Sequence, residues 1–242
     1  MNPRFTVLEI RRIVRAPRFL LMGVGIPVVM FLLLANVYGR GSDGPSALGY
    51  LMASMAAFGA MTAALNTGAR IAAERATGWN RLLRLTPLRP LWYVVSKLAV
   101  AMVVALPVVV VVYVLGATVE GVDLSLSQWL QSGLSLWLGV IPFALLGVVV
   151  GYLARPDSVQ VVSSAVFLGL SMFGGLWFPV EIMPRVLATV AKVTPSYWLG
   201  EVARTPLLDG HLGTRAVYTL AAWAVVAAFA AARAYRRDTA RS

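Results

Sequence analysis

A chain of 242 residues that is 59% hydrophobic and 13% charged, with a mean hydropathy of +0.78, carries about half the charge of an ordinary soluble domain. It has too little polar surface to cover a globule and too many aliphatic and aromatic side chains to be disordered. No cysteine is present, which excludes disulfides, thiolate nucleophiles, Fe–S clusters and Cys-ligated zinc; the lone His211 excludes a multi-histidine metal or haem site within one chain. The bilayer is the solvent to consider. Lys and Arg exceed Asp and Glu by eleven, which in a soluble protein would point to nucleic acid. In a membrane protein it marks cytoplasmic loops and anionic headgroups.

In chain order, residues 3–16 set Val7, Ile10, Ile13 and Val14 near helical spacing among Arg4, Arg11, Arg12 and Arg15. This predicts an amphipathic helix lying in the interface. A cleaved signal peptide fits poorly, because a long basic segment precedes a full-length span with no convincing small-residue cleavage site. Six uncharged stretches follow, at about 19–37, 47–69, 98–119, 129–154, 158–180 and 216–232, each near the 20 or so residues needed to cross a bilayer. The fifth is the most polar, with Gln160, Ser163, Ser164 and Ser171, and is expected to face protein. In the fourth, Gly147 and Gly151 form a small-xxx-small pair, read as helix packing.

Sixteen of the 21 Lys and Arg fall in the N-terminal segment, the loops 70–97 and 155–157 and the C-terminal tail; five fall on the other side. Both termini are therefore expected in the cytoplasm. The chain reads as one domain, 1–242, made almost entirely of membrane helices.

The chemistry available is narrow. The six stretches hold no Asp, Glu, Lys, Arg or His, which disfavours an ion-coupled transporter. His211 sits in a turn-like Asp209-Gly210-His211 and reads as exposed. A phosphate-binding loop needs Gly-Lys followed by Ser or Thr, but the only lysines, Lys97 and Lys192, follow Ser96 and Ala191. If ATP drives this protein, another polypeptide hydrolyses it.

Two long loops remain. Residues 70–97 place Ile71, Leu82, Leu83 and Leu85 among arginines, interrupted by Gly78 and stopped by Pro87 and Pro90. On its own this reads equally as a solvated basic loop. Residues 179–205 hold Ile182, Met183, Val186, Leu187, Val190 and Val193 at helical spacing, too short to span. Two readings stand: a re-entrant helix, with Pro184 in its first turn and Pro195 as a break, or a helix lying flat on the outer headgroups.

Glu74-Arg75-Ala76-Thr77-Gly78 followed by Leu82-Leu83-Arg84-Leu85-Thr86-Pro87-Leu88 resembles the loop between the second and third spans of ABC-2 type permeases. That loop commonly runs Glu-Arg-Glu-x-Gly-Thr, then Leu-Leu-x-Thr-Pro-Leu; here Ala76 replaces an acidic residue and Thr77-Gly78 is reversed. Gly174-Gly175-Leu176-Trp177-Phe178-Pro179, with Met183-Pro184 and Thr194-Pro195-Ser196-Tyr197-Trp198, is similar to the segment after the family's fifth span.

The resemblance implies an all-α integral membrane fold: six transmembrane helices, an N-terminal interfacial helix, a cytoplasmic coupling helix between spans two and three, and re-entrant helices between spans five and six. It also implies the permease subunit of an ATP-binding-cassette exporter in a bacterial inner membrane. Its partners would be a second permease subunit, identical or related, and two copies of a separate ATPase subunit carrying ATP and Mg. Membrane lipid surrounds it; no nucleic acid, metal or cofactor is expected on this chain.

Glu74, Arg75, Gly78, Leu82, Leu83, Thr86 and Pro87 would form the ATPase-coupling loop. Gln160, Ser164, Phe167 and Ser171 would face the partner permease or the pathway, and Phe178, Pro179, Met183, Pro184, Tyr197 and Trp198 would form an outer gate. The substrate class is hydrophobic or amphipathic: a drug, antibiotic, lipid or lipid-linked product. The alternatives are a non-transporting membrane assembly factor and a membrane-embedded enzyme.

Overall fold

The computed structural model describes residues 17–38, 44–77, 90–155, 157–208, 211 and 213–241, and every regular element among them is helical. In order these are α1 (Pro17–Tyr38), α2 (Gly44–Leu65), α3 (Thr67–Ala76), α4 (Pro90–Thr118), α5 (Leu126–Gly139), α6 (Ile141–Leu153), α7 (Val159–Phe173), α8 (Arg185–Val193), α9 (Pro195–Leu208) and α10 (Thr214–Arg241), with a 3-10 turn at Val180–Ile182 between α7 and α8. The interfacial helix expected at 3–16 lies outside the described residues.

Among the described residues, four helical runs are long and apolar enough to cross a bilayer: Ala47–Ala76, Val94–Thr118, Leu126–Leu153 and Thr214–Arg237. Gly23–Tyr38 and Val159–Phe173 are apolar but shorter. The exposed surface is that of a membrane protein. Ile26, Val29, Leu33 and Val37 on α1, Leu106, Val110 and Val114 on α4, and Tyr218, Val225 and Phe229 on α10 form outward apolar stripes at helical spacing. Such stripes suit lipid, not water.

Helix α2 is the centre. From Met52 to Leu65 only Thr62 escapes full burial, and α1, α4, α6 and α9 all pack on this helix. Its Ala, Gly and Met residues let neighbours come close. Pro27 of α1 lies against Gly59, where a Cβ would run into both Pro27 and Val108 of α4. The hydroxyls of Ser54 and Thr62 donate back to Tyr50 O at 2.8 Å and Phe58 O at 2.7 Å, so neither is left bare in an apolar setting.

A turn at Asn66 separates α2 from α3 and brings α3 onto α6 backbone to backbone. A Cβ on Gly151 would sit 2.7 Å from Gly68 O, and one on Gly147 would sit 2.9 Å from Leu65 O. The small-xxx-small pair is thus a packing device, as its spacing implied.

Helix α5 starts from a capping box at Ser125 and Gln128 and runs antiparallel to α9. Gln128 Nε2 donates to Leu207 O at 3.4 Å, Ser132 Oγ to Ala203 O at 2.6 Å and Ser135 Oγ to Val202 O at 2.9 Å. Because Ser132 spends its proton there, the Tyr113 hydroxyl donates to Ser132 at 2.6 Å. Val202 needs an outside donor for a plain reason: Pro206, four residues on, has no N–H to offer its carbonyl.

Helix α7 stops at Phe173, well short of the stretch 158–180 expected from composition. Gly174 and Gly175 end it. Gly175 takes φ +70°, a conformation that other residues rarely adopt, and a Cβ on Gly174 would collide with Ser196 of α9.

Candidate functional site

Helix α3 ends at the root of the segment 78–89, and two adjacent residues of its last turn grip two different helices. Glu74 points to α4, where Lys97 Nζ lies 2.5 Å from its Oε1. Arg75 points to α6, with Nη1 donating to Gly151 O at 3.0 Å and Ala154 O at 3.3 Å. Those carbonyls belong to the last turn of α6 and to its C-cap residue, where no intrahelical donor remains and where a cation also suits the helix dipole. The Arg75 guanidinium further stands 5.7 Å from the centre of the Tyr152 ring, and Tyr152 meets Tyr235 of α10 edge-on at 5.5 Å. Around these lies a small apolar cluster of Ile71, Val148, Tyr152, Ala231 and Ala234.

The geometry follows from helical spacing. Gly68, Ile71, Ala72 and Arg75 share the side of α3 facing α6, while Glu74 is turned about 100° away from Arg75. Thr77 closes the helix, its hydroxyl donating to Glu74 O at 3.0 Å. One short helix thus binds α4 and, through α6 and Tyr152, reaches α10. Of the residues expected in the coupling loop, Glu74 and Arg75 take this position; Gly78, Leu82, Leu83, Thr86 and Pro87 lie outside the described residues.

At the other end of the bundle the expected gate residues are only partly gathered. The Tyr197 and Trp198 rings pack edge-on at 5.1 Å, Trp198 Nε1 donates to Lys192 O at 2.8 Å, and Arg215 stands over the Trp198 ring at 5.3 Å. Pro179 precedes the 3-10 turn and Pro184 precedes the first residue of α8. Met183 is half-buried and Phe178 is exposed. It is Trp177, not Phe178, that turns inward, edge-on to Phe58 at 5.7 Å. Helix α8 is strongly one-sided, and its apolar side faces out: Val186, Val190 and Val193 are exposed, as is Ile182 in the 3-10 turn before it.

On α7 the four polar residues do not share a face. Ser163 and Ser171 are buried in this chain, Ser171 donating to Phe167 O at 2.6 Å, while Ser164 is half-buried and Gln160 exposed. Phe167 packs on Phe58 at 6.2 Å. The outward side of α7 is instead Val161, Ala165, Leu168 and Met172.

Two buried cations were not singled out from sequence. Lys97 stands beside the third apolar stretch, at the end of the basic loop 70–97 by spacing alone; α4 begins at Pro90, which puts Lys97 two turns inside a helix and 1% exposed. Arg204 falls in the long outer loop by its charge, yet it lies on α9 and is 3% exposed. The Gly200–Arg204 spacing of one helical turn was the available sign.

The sequence profile of the family described as ABC-2 type transporter matches residues 5–208. The chain is also similar to a Bacillus subtilis (strain 168) protein named "Putative transport permease YvfS", at 29% identity over 201 residues, covering 82% of each chain.

Proposed function

The chain belongs to the ABC-2 type transporter family, as a multi-pass transmembrane subunit distinct from the ATPase, and from that premise we propose that it exports a hydrophobic or amphipathic substrate from the cytoplasm. The observation that carries the reading is the pair Glu74 and Arg75. A push delivered to segment 78–89 by a nucleotide-driven partner enters α3, and α3 is bound to both α4 and α6. The segment then couples the ATPase to the bundle and is cytoplasmic together with both termini, in the inner membrane of a bacterium.

The six apolar stretches all serve as spans. The functional unit holds two permease subunits, identical or related, and two ATPase subunits that bind ATP and Mg. A second permease subunit is needed because one bundle so tightly filled around α2 has little room for a bulky amphiphile. For the re-entrant reading, the support is the course of α9: Leu207 lies beside Gln128 near the start of α5, and Leu199 beside Gly139 at its end. A helix of 14 residues thus follows α5 over its whole length without being long enough to span.

The test is reconstitution of the full chain with the ATPase subunit that co-purifies with it, followed by ATP-dependent extrusion of a fluorescent amphiphile from vesicles. Leu83→Asp should lower extrusion while insertion stays intact; Glu74→Lys, which sets a second cation beside buried Lys97, should lower extrusion and is read against its own unfolding midpoint. Unchanged extrusion in both variants would remove the coupling assignment.

A further inference from the structure

Arg204 is buried on α9, yet its Nε and Nη2 donate no hydrogen bond among the described residues. These two nitrogens lie along one edge of the guanidinium, the edge that offers two parallel N–H bonds to a carboxylate or phosphate. Glu201 Oε1 comes no closer to Nη2 than 3.9 Å, near enough to moderate the charge and too far to use the edge. The Tyr50 ring of α2 lies 4.4 Å from the cation, and the Tyr50 hydroxyl is also buried without a partner.

Arginine cannot shed its proton, so the burden of a desolvated cation with two unmet donors is permanent. The chain nonetheless makes room for it. A Cβ on Gly200, one turn earlier, would fall on the guanidinium itself. The neighbours on α9 are apolar and buried: Val202, Ala203, Pro206 and Leu207. Tyr50 and Glu74 lie at opposite ends of the run Ala47–Ala76, on the order of 35 Å apart at helical rise. The site is therefore remote from the coupling end.

We propose that this edge of Arg204 holds the anionic group, phosphate or carboxylate, of an amphiphile whose tail lies among apolar helices. The inference rests on the permease reading and narrows its substrate class to acidic amphiphiles. A free inorganic anion is disfavoured, because nothing apolar in it would offset leaving water.

The experiment uses the full chain in phosphatidylcholine nanodiscs, titrated with dodecyl phosphate while the unfolding midpoint is followed. Wild type should gain stability with increasing ligand. Arg204→Lys keeps the charge and loses the paired donors, and should bind on the order of tenfold more weakly; Arg204→Gln should not respond. Should the Gln variant fail to fold, the Lys variant carries the comparison.

Repeating the titration in phosphatidylglycerol nanodiscs separates the two sources of such a group. A midpoint shift that persists there in wild type assigns the edge to a transported amphiphile. A shift that vanishes there, with wild type already more stable than Arg204→Lys, assigns it to a resident lipid headgroup. Equal responses of wild type and Arg204→Lys in both bilayers would overturn the site, and an equal response to inorganic phosphate would overturn the amphiphile. Binding is read without ATPase or transport, so its failure leaves the Glu74 test standing, and failure of that test leaves binding untouched.

Discussion

Lys97 is 1% exposed, while Glu74, whose carboxylate it meets at 2.5 Å, is 24% exposed. One member of the pair has surrendered water and the other has kept part of it. Removing each member should therefore have unequal effects. Glu74→Gln withdraws the countercharge from a fully buried ammonium and should cost about 2–4 kcal/mol. Lys97→Met leaves a carboxylate that water can still reach and should cost less than half as much. The check is thermal unfolding of both single variants and the double variant in one detergent. Equal, additive losses would show that the pair contributes nothing as a pair.

The α3–α6 contact gives a sharp comparison between glycines. Gly151→Ala would place a Cβ 2.7 Å from Gly68 O, and neither backbone can yield without parting the helices. A loss of about 1–3 kcal/mol is expected. Gly169→Ala on α7 meets nothing within 4 Å and should be neutral or slightly stabilising through helix propensity. Unfolding midpoints of the two variants decide the matter, and similar midpoints would argue against a tight backbone contact.

The carbonyl of Val202 supplies a suppressor test. Ser135→Ala should cost about 1–2 kcal/mol, because a buried acceptor loses the donor that replaces the missing N–H of Pro206. In a Pro206→Ala background the backbone N–H returns, and the same Ser135→Ala change should cost distinctly less. A double-mutant cycle on thermal stability measures the difference. Identical costs in both backgrounds would mean that Ser135 does not serve this carbonyl.

The outward side of α7 predicts where two copies meet if the fifth stretch lies at their interface. Cysteines placed at Val161 or Leu168, both exposed, should form disulfide-linked dimers in membranes, and cysteines at Ser163 or Ser171, both buried, should not. The chain has no natural cysteine to confuse the result. Cross-linking confined to the other helices would move the interface away from α7.

Composition and charge spacing sufficed for the all-helical membrane class, since long uncharged stretches leave few other ways to satisfy a backbone in lipid. The Gly147–Gly151 spacing likewise led to a true close contact. Sequence spacing is silent where tertiary partners decide. On α7, polarity points to protein neighbours, and for Ser163 and Ser171 those neighbours lie in their own bundle, Ser171 donating to Phe167 O. For α8, helical spacing located an apolar side but could not say which way it faces; it faces outward. Lys97 and Arg204 fall with the loops when charges alone mark the ends of spans. A charge can be buried when its partner is distant in sequence, as Glu74 and Tyr50 are, and single-chain periodicity carries no record of that pairing.

The three donors of α5 that hold α9, Gln128, Ser132 and Ser135, all grip carbonyl oxygens of the main chain. Such a grip is indifferent to the identity of the side chains at Val202, Ala203 and Leu207. A change of the group at position 204 can therefore leave these three hydrogen bonds in place, while Val202, Ala203 and Leu207 stay constrained by the core they fill. On the proposed reading, variation among relatives should concentrate at position 204, and the hydroxyl and amide ladder of α5 should remain as its unchanging rail.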